Sequence, residues 1–349
     1  HVSGSKGSVI FEGTASSFSA LTAGAMNGIE LNSNLTTTTG ALALDGDSDS
    51  TLDTEDYITF ASGITLSSAA DISLSAANGG MNAAGAITLT TPSSITLTGN
   101  MTAAGAVALT ANSGISLNNS ISTSSGVLNI NANSSTLSLA SGITLSSAGA
   151  LTLAAGSTSS SGGINLTSTA STINVNNALV SAGAINMSAA SGLTLSNNTL
   201  TAAGNISLEA DSTNSGSGQL NLVSGTTITS SAGSIALGAT TGGISSTGPL
   251  TLNASNGITV ADSLTTAGAV NIDADTDNNG SGDFTVSTGS LSTTNNALTV
   301  TANDLVLSGT LDSGTGSTTI NVSDGGSLGL GFSSGFGMNI TTTEQGKLV

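Results

Sequence analysis

Between Ile272 and Phe284 the chain sets Asp275, Asp277 and Asn279 at alternating positions, places Gly280 next and closes on Asp283. Oxygen donors on every second residue around a glycine turn are what a calcium loop uses, because a hard cation gathers carboxylate and carbonyl oxygens. The bidentate Glu that would close such a loop is missing, since Val286 stands there, and Asp273 is the extra ligand the sequence offers. Calcium is therefore the candidate cofactor, on Asp273, Asp275, Asp277, Asn279 and Asp283. A secondary candidate lies at Asp45, Asp47 and Asp49. The plainer reading is a solvated corner rich in turn-forming residues.

Internal comparison bears on that choice. The segment from Leu208-Glu209-Ala210-Asp211 to Gln219-Leu220 aligns without gaps on the one from Ile272 to Phe284, and a looser copy runs from Leu44 to Tyr57. A further copy, from Leu153 to Ile164, carries Ser and Gly where the others carry acids. Loop insertions are thus expected near residues 45–56, 154–163, 209–219 and 273–283, acidic only in some copies. Tyr57 aligns with Phe284, so packing is its expected role.

Other chemistry is thinly supplied. Hydrolysis of a glycoside needs two carboxylates on one face of a cleft, and proton abstraction beside a uronate needs a base and a neutralising cation. Arg is absent, the two Lys are Lys6 and Lys347, and the single His is His1. Asp71, Asp262, Asp304, Asp312 and Asp324 are scattered and are expected at turns. The chain is therefore expected not to be an enzyme.

The formal net charge is −18. Phosphate binding requires clustered Lys or Arg, so nucleic acid is excluded as an expected partner, and so is an anionic membrane surface. No stretch approaches the length of a membrane-spanning helix, so membrane insertion is not expected. Cys is absent, which removes disulfides and thiol chemistry. Aromatic residues are 2% of the chain, so the core must be narrow and filled by Ile, Leu, Val and Ala.

The elements that would carry these residues are short strands. Ile87-Thr88-Leu89 is echoed by Ile95-Thr96-Leu97, Val107-Ala108-Leu109, Ile143-Thr144-Leu145, Leu193-Thr194-Leu195 and Ile258-Thr259-Val260. Each buries two apolar side chains and shows a polar one between them. Such repetition predicts a solenoid in which every unit finds its core partners one repeat away. Ala-Gly turns at Gly85, Gly105, Gly183 and Gly204 suggest a period of roughly 20 residues and roughly 16 coils. Gly is expected there for positive φ. The pairs Asn118-Asn119, Asn176-Asn177 and Asn197-Asn198 are expected to tolerate left-handed φ and to stack between coils.

The Ala-Gly-Ala-Ile-Thr-Leu and Ser-Gly-Ile-Ser-Leu phrases resemble the filamentous-haemagglutinin-like exoproteins of Gram-negative bacteria and, more closely, giant beta-strand-repeat proteins of that architecture. The more specific resemblance runs from Asp273 through Phe284-Thr285-Val286, Ala302-Asn303-Asp304-Leu305 and Ser327-Leu328-Gly329-Leu330-Gly331 to Gly337-Met338-Asn339-Ile340-Thr341. It implies a right-handed parallel β-helix, secreted and displayed at the cell surface, acting in adhesion or as a fibre. The family's amino-terminal secretion domain is not in this sequence.

The expectation is an all-β, right-handed parallel β-helix (β-solenoid) with short strands and loop insertions, one elongated body over residues 1–349. Segments 1–20, with Phe11 and Phe18, and 327–349, with Phe332 and Phe336, are expected to cap or dock the ends. The expected function is a non-enzymatic extracellular adhesin shaft or surface fibre. The alternatives are a head-to-tail filament subunit, whose partner is itself or further repeats, and a carbohydrate-binding or polysaccharide-degrading β-helix. Surface glycans or neighbouring cells are the remaining expected partners. A carbohydrate-binding module needs exposed aromatic platforms, and six Phe with one Tyr offer few.

Overall fold

The computed structural model describes residues 2–4, 7–51, 54–331 and 335–349, so His1, Lys6 and Phe332 lie outside the described residues. Three parallel sheets stack as an all-β solenoid of about fifteen turns. The chain forms two compact units, His1–Ser171 and Thr172–Val349.

In the first unit a typical coil contributes Ile95–Thr98 to the first sheet, Met101–Ala103 to the second and Val107–Ala111 to the third. Every strand bonds to the equivalent strand one coil away. Apolar residues therefore fall into files: Ile72, Ile95 and Ile115 pair in register, as do Leu74, Leu97 and Leu117. The burial pattern of Ile143–Ser147 alternates inward and outward with the period of an extended chain. Three to five residues suffice per strand, because the neighbouring coils supply the partners a lone strand lacks. Each Leu or Ile so enclosed contributes about 1.5–3 kcal/mol.

The second unit repeats the scheme. Leu200, Ile228, Leu252, Ile272 and Val300 form one inward file on its first sheet. Phe284, fully buried, sits in register between Ile258 and Leu305 on the second sheet. Beyond Thr318–Val322 the chain folds over its own solenoid. The strand Leu328–Leu330 pairs with Met338–Ile340, whose Met338 and Ile340 are buried. Thr341 then caps a single helical turn, Thr342–Gln345, with a reciprocal Thr341–Glu344 capping box. Leu311 donates its N–H to the Lys347 carbonyl at 2.9 Å and accepts from the Val349 N–H at 2.8 Å.

Three sequence expectations need correction. Gly85, Gly105, Gly183 and Gly204 are not among the positive-φ glycines. The coil beneath excludes a side chain at Gly105, where a Cβ would lie 2.6 Å from the Ala86 nitrogen, and crowds one at Gly204, where it would lie 3.1 Å from the Ala184 nitrogen. The Asn pairs likewise avoid left-handed φ, which falls instead on Asn133, Asn214, Asn278 and Asn295 among others. Rather than stacking on Asn, Asn118 donates to Thr98 Oγ1 at 3.0 Å and Asn119 accepts from the Gly99 N–H at 2.8 Å.

The third correction concerns residues 154–163, expected as an insertion. Ser157–Ser160 is instead an ordinary strand of the first sheet, paired with Thr136–Leu139. Its inward residues are Thr158 and Ser160, so no apolar alternation marks it. A hydroxyl can face inward because the corner glycine offers an acceptor. Ser160 bonds the Gly162 carbonyl at 2.8 Å, Thr123 that of Gly126 at 2.7 Å and Thr266 that of Gly268 at 2.7 Å. A buried hydroxyl without such a partner would cost about 1–3 kcal/mol.

Candidate functional site

The acidic corner after Val270–Asp273 is a hydrogen-bonded turn. The Asp273 carboxylate accepts the Asp275 N–H at 3.3 Å, and the Asp275 carbonyl accepts the Asn278 N–H at 3.0 Å with Asn278 at φ 52°. Asp275 is fully buried. One of its oxygens accepts the Asn279 N–H at 3.2 Å; the other accepts the Gly280 N–H at 3.1 Å and the Ser323 hydroxyl at 2.6 Å. Burial works to raise the Asp275 carboxyl, but the Ser323 hydroxyl, the Gly280 and Asn279 N–H groups and Asp277 together hold it below the usual carboxylate range. Asp273 is pushed the other way, chiefly by burial and further by the Asp275 charge.

The remaining candidate ligands also make hydrogen bonds of their own. Asp277 accepts from the Asn279 side chain at 2.8 Å, the Asn279 oxygen accepts from the Ser281 hydroxyl, and Asp283 accepts from Asn303 at 3.0 Å. Among the described residues no three acidic, His or Cys side chains are grouped to hold a metal. The alternating oxygens of the sequence accept hydrogen bonds from within the corner and from Asn303 and Ser323, with Asp275 as the staple.

The same corner recurs. Asp211, fully buried, accepts from the Ser215 N–H and hydroxyl at 2.8 and 3.0 Å and from the Gly216 N–H at 2.8 Å, with Glu209 accepting the Asp211 N–H at 3.0 Å. Burial opposes ionisation there too, but these donors and Thr241 hold Asp211 low. Asp47 is also buried, and Asp45 accepts its N–H at 3.2 Å; one Asp47 oxygen takes the Asn78 N–H at 3.1 Å while the other has no hydrogen-bond partner. Asp49, outside the staple, accepts the Thr51 N–H at 3.2 Å. The copies occupy different corners of the coil: residues 45–56 and 273–283 leave the first sheet, whereas 209–219 leaves the second.

Of the scattered acids, Asp71, Asp262, Asp304 and Asp324 lie between strands, whereas Asp312 is the last residue of the strand Thr310–Asp312, in register with Ser292. Asp71 accepts from the Ser93 and Ser94 hydroxyls, the latter at 2.7 Å, and these bonds lower its carboxyl. Asp262, Asp312 and Asp324 each accept a backbone N–H at 2.8 Å. Asp304 accepts the Leu305 and Asn339 N–H groups at 3.0 and 3.1 Å, yet burial first and then the charges of Asp283 and Glu344 raise it.

One constellation escaped the sequence reading. Tyr57 does not pack as Phe284 does. In Tyr57–Phe60 it is Ile58 and Phe60 that face the core, so Tyr57 and Thr59 face outward. A one-residue difference in where the strand begins moves a side chain to the opposite face. Tyr57 borders an open groove of about 310 Å³ with Asn27, Glu30, Glu55 and Thr59. Its register partners are Gly80 on one side and, one step before the Ile29–Ile58 pair, Gly28 on the other. Both are at positive φ, 98° and 85°, and a Cβ on either would strike a carbonyl oxygen. No side chain can therefore stand beside the tyrosine along the stack.

Farther along the same sheet face, Asn82, Thr102 and Ser122 line a second groove of about 440 Å³. Glu30, Thr59, Asn82, Thr102 and Ser122 occupy one register file. Thr102 donates to the Asn82 oxygen at 2.6 Å. Among the described residues neither groove is bordered by His, Lys or Arg. The signal in the sequence was the single Tyr between Gly28 and Gly80, which only register places side by side.

Comparisons with protein families, with characterised proteins and with solved structures find no match to this chain.

Proposed function

We propose that the chain is a non-enzymatic structural solenoid, a stiff shaft or surface-fibre segment of an extracellular bacterial adhesin. The observation that carries this reading is the repetition itself: registered aliphatic files run inside each unit, and several corners bond their own buried hydroxyls and carboxylates. Such a build resists bending because core and ladder continue from coil to coil. The resemblance to filamentous-haemagglutinin-like and giant beta-strand-repeat exoproteins supports a secreted, surface-displayed location of Gram-negative type.

A shaft is favoured over a head-to-tail filament subunit by the segment near the carboxyl end. Lys347 and Val349 already bond Leu311, and Met338 and Ile340 are buried against the same end of the second unit. Docking of residues 1–20 onto 327–349 would have to displace them. Electron microscopy with a concentration series of light scattering tests the choice. Particles of constant mass support the shaft; continuous fibres overturn it in favour of the filament. Antibody labelling that finds the protein only inside intact source cells overturns the surface assignment.

A further inference from the structure

We infer that the groove at Tyr57 on the second sheet of the first unit is a binding site for an uncharged oligosaccharide, laid along the stack of coils. The inference stands apart from the shaft reading, since a glycan groove can sit on any solenoid.

Tyr57 stands half-exposed on the outward face of its strand. A tyrosine is a flat apolar body with a polar tip, the surface against which the C–H face of a pyranose packs. In most strands of this fold an outward aromatic would be flanked by side chains from the coils above and below. Here Gly28 and Gly80 keep both neighbouring positions bare, and their positive φ and close carbonyls fix them as glycine. Glu30 and Glu55, both exposed, border the same groove. Carboxylates accept hydroxyl donors strongly, through charge-assisted bonds, and a sugar ring presents such donors in adjacent pairs.

Length and charge define the ligand further. The register file Glu30, Thr59, Asn82, Thr102 and Ser122 places one acceptor or donor per coil, at steps of about 4.8 Å. It continues from the tyrosine groove into the one at Asn82 and Thr102, so an extended chain finds partners beyond the first ring. Uronates and sulfated sugars are disfavoured, because Glu30 and Glu55 repel them and no cation among the described residues borders either groove.

The chain contains no Trp and one Tyr, so its tyrosine emission reports on this groove alone. Titration with neutral gluco-, galacto- and manno-oligosaccharides of increasing length is expected to give a saturable change in that emission for at least one series, tighter with length. Calorimetry should then show binding lost in Y57A, kept in Y57F and weakened about tenfold in an E30Q/E55Q variant. Circular dichroism of Y57A should match the parent, because the side chain faces outward. The inference is overturned if no neutral series perturbs the emission at millimolar concentration. Equal affinity of Y57A and the parent, or binding of oligouronates as tight as the neutral series, overturns it too.

Discussion

Replacing Asp275 by Asn removes a charge while keeping the shape of the side chain. The carboxylate accepts the Asn279 N–H, the Gly280 N–H and the Ser323 hydroxyl with both of its oxygens. An amide keeps one acceptor and turns a donor toward groups that are themselves donors. Loss of a charged acceptor costs about 1.5–3 kcal/mol. The expected figure lies toward the lower end, because the loop beyond Asp275 is exposed and relief of Asp273 offsets part of the loss. The pH dependence follows from the direction of the shift. A carboxyl held lower in the folded state than in the unfolded chain contributes stability above the unfolded value of about 3.9, and loses it as pH falls through the folded value. Urea unfolding followed by circular dichroism should therefore separate D275N from the parent at pH 7, with the gap closing in acid. Hydrogen exchange should place the loss at residues 276–282 and Ser323. Equal stability at pH 7, or a gap that persists undiminished well below the unfolded carboxyl value, would refute the staple.

Phe284→Ala, at a fully buried site between Ile258 and Leu305, should cost about 3–5 kcal/mol in urea titration, whereas Phe284→Leu should cost under about 1.5 kcal/mol. Asp304 carries the opposite sign to Asp275: its raised carboxyl gives stability that is full below the unfolded value and lost as pH rises through the folded one. Asp304→Asn, which keeps one acceptor oxygen and sheds the repulsion from Asp283 and Glu344, should leave the neutral-pH Tm unchanged or higher. Calcium should not move the Tm of the parent through the Asp275 corner, since both carboxylate oxygens there already accept hydrogen bonds; a calcium-dependent rise abolished by D275N would contradict that assignment.

Much of the fold was legible because strand patterning is local. Ile95-Thr96-Leu97 shows its inward and outward residues to any reader, and its recurrence in the chain calls for coils stacked on one another. Ser157–Ser160 was not legible, because its inward residues Thr158 and Ser160 carry hydroxyls, and the partner of Ser160 lies at the Gly162 carbonyl beyond the strand. The candidate site was legible only as a cluster of oxygen donors. Asp275 and Asp211 were named or aligned from sequence, yet the choice between metal ligand and staple depends on where the N–H groups of residues four and five positions later point. Tyr57 was misplaced because an alignment of copies carries no information on which face a strand's first residue takes.

Composition and periodicity alone determined the class of fold: a chain with few aromatics, no Cys and alternating aliphatics has a narrow stacked core as its way of burying apolar surface. Register alone decided the rest. It set Gly28 and Gly80 on either side of Tyr57, brought Ser323 onto Asp275 and gave Gly105 a backbone neighbour that leaves no room for a Cβ. Those contacts join residues one or more coils apart, and their free energy exists only after the coils have closed on each other.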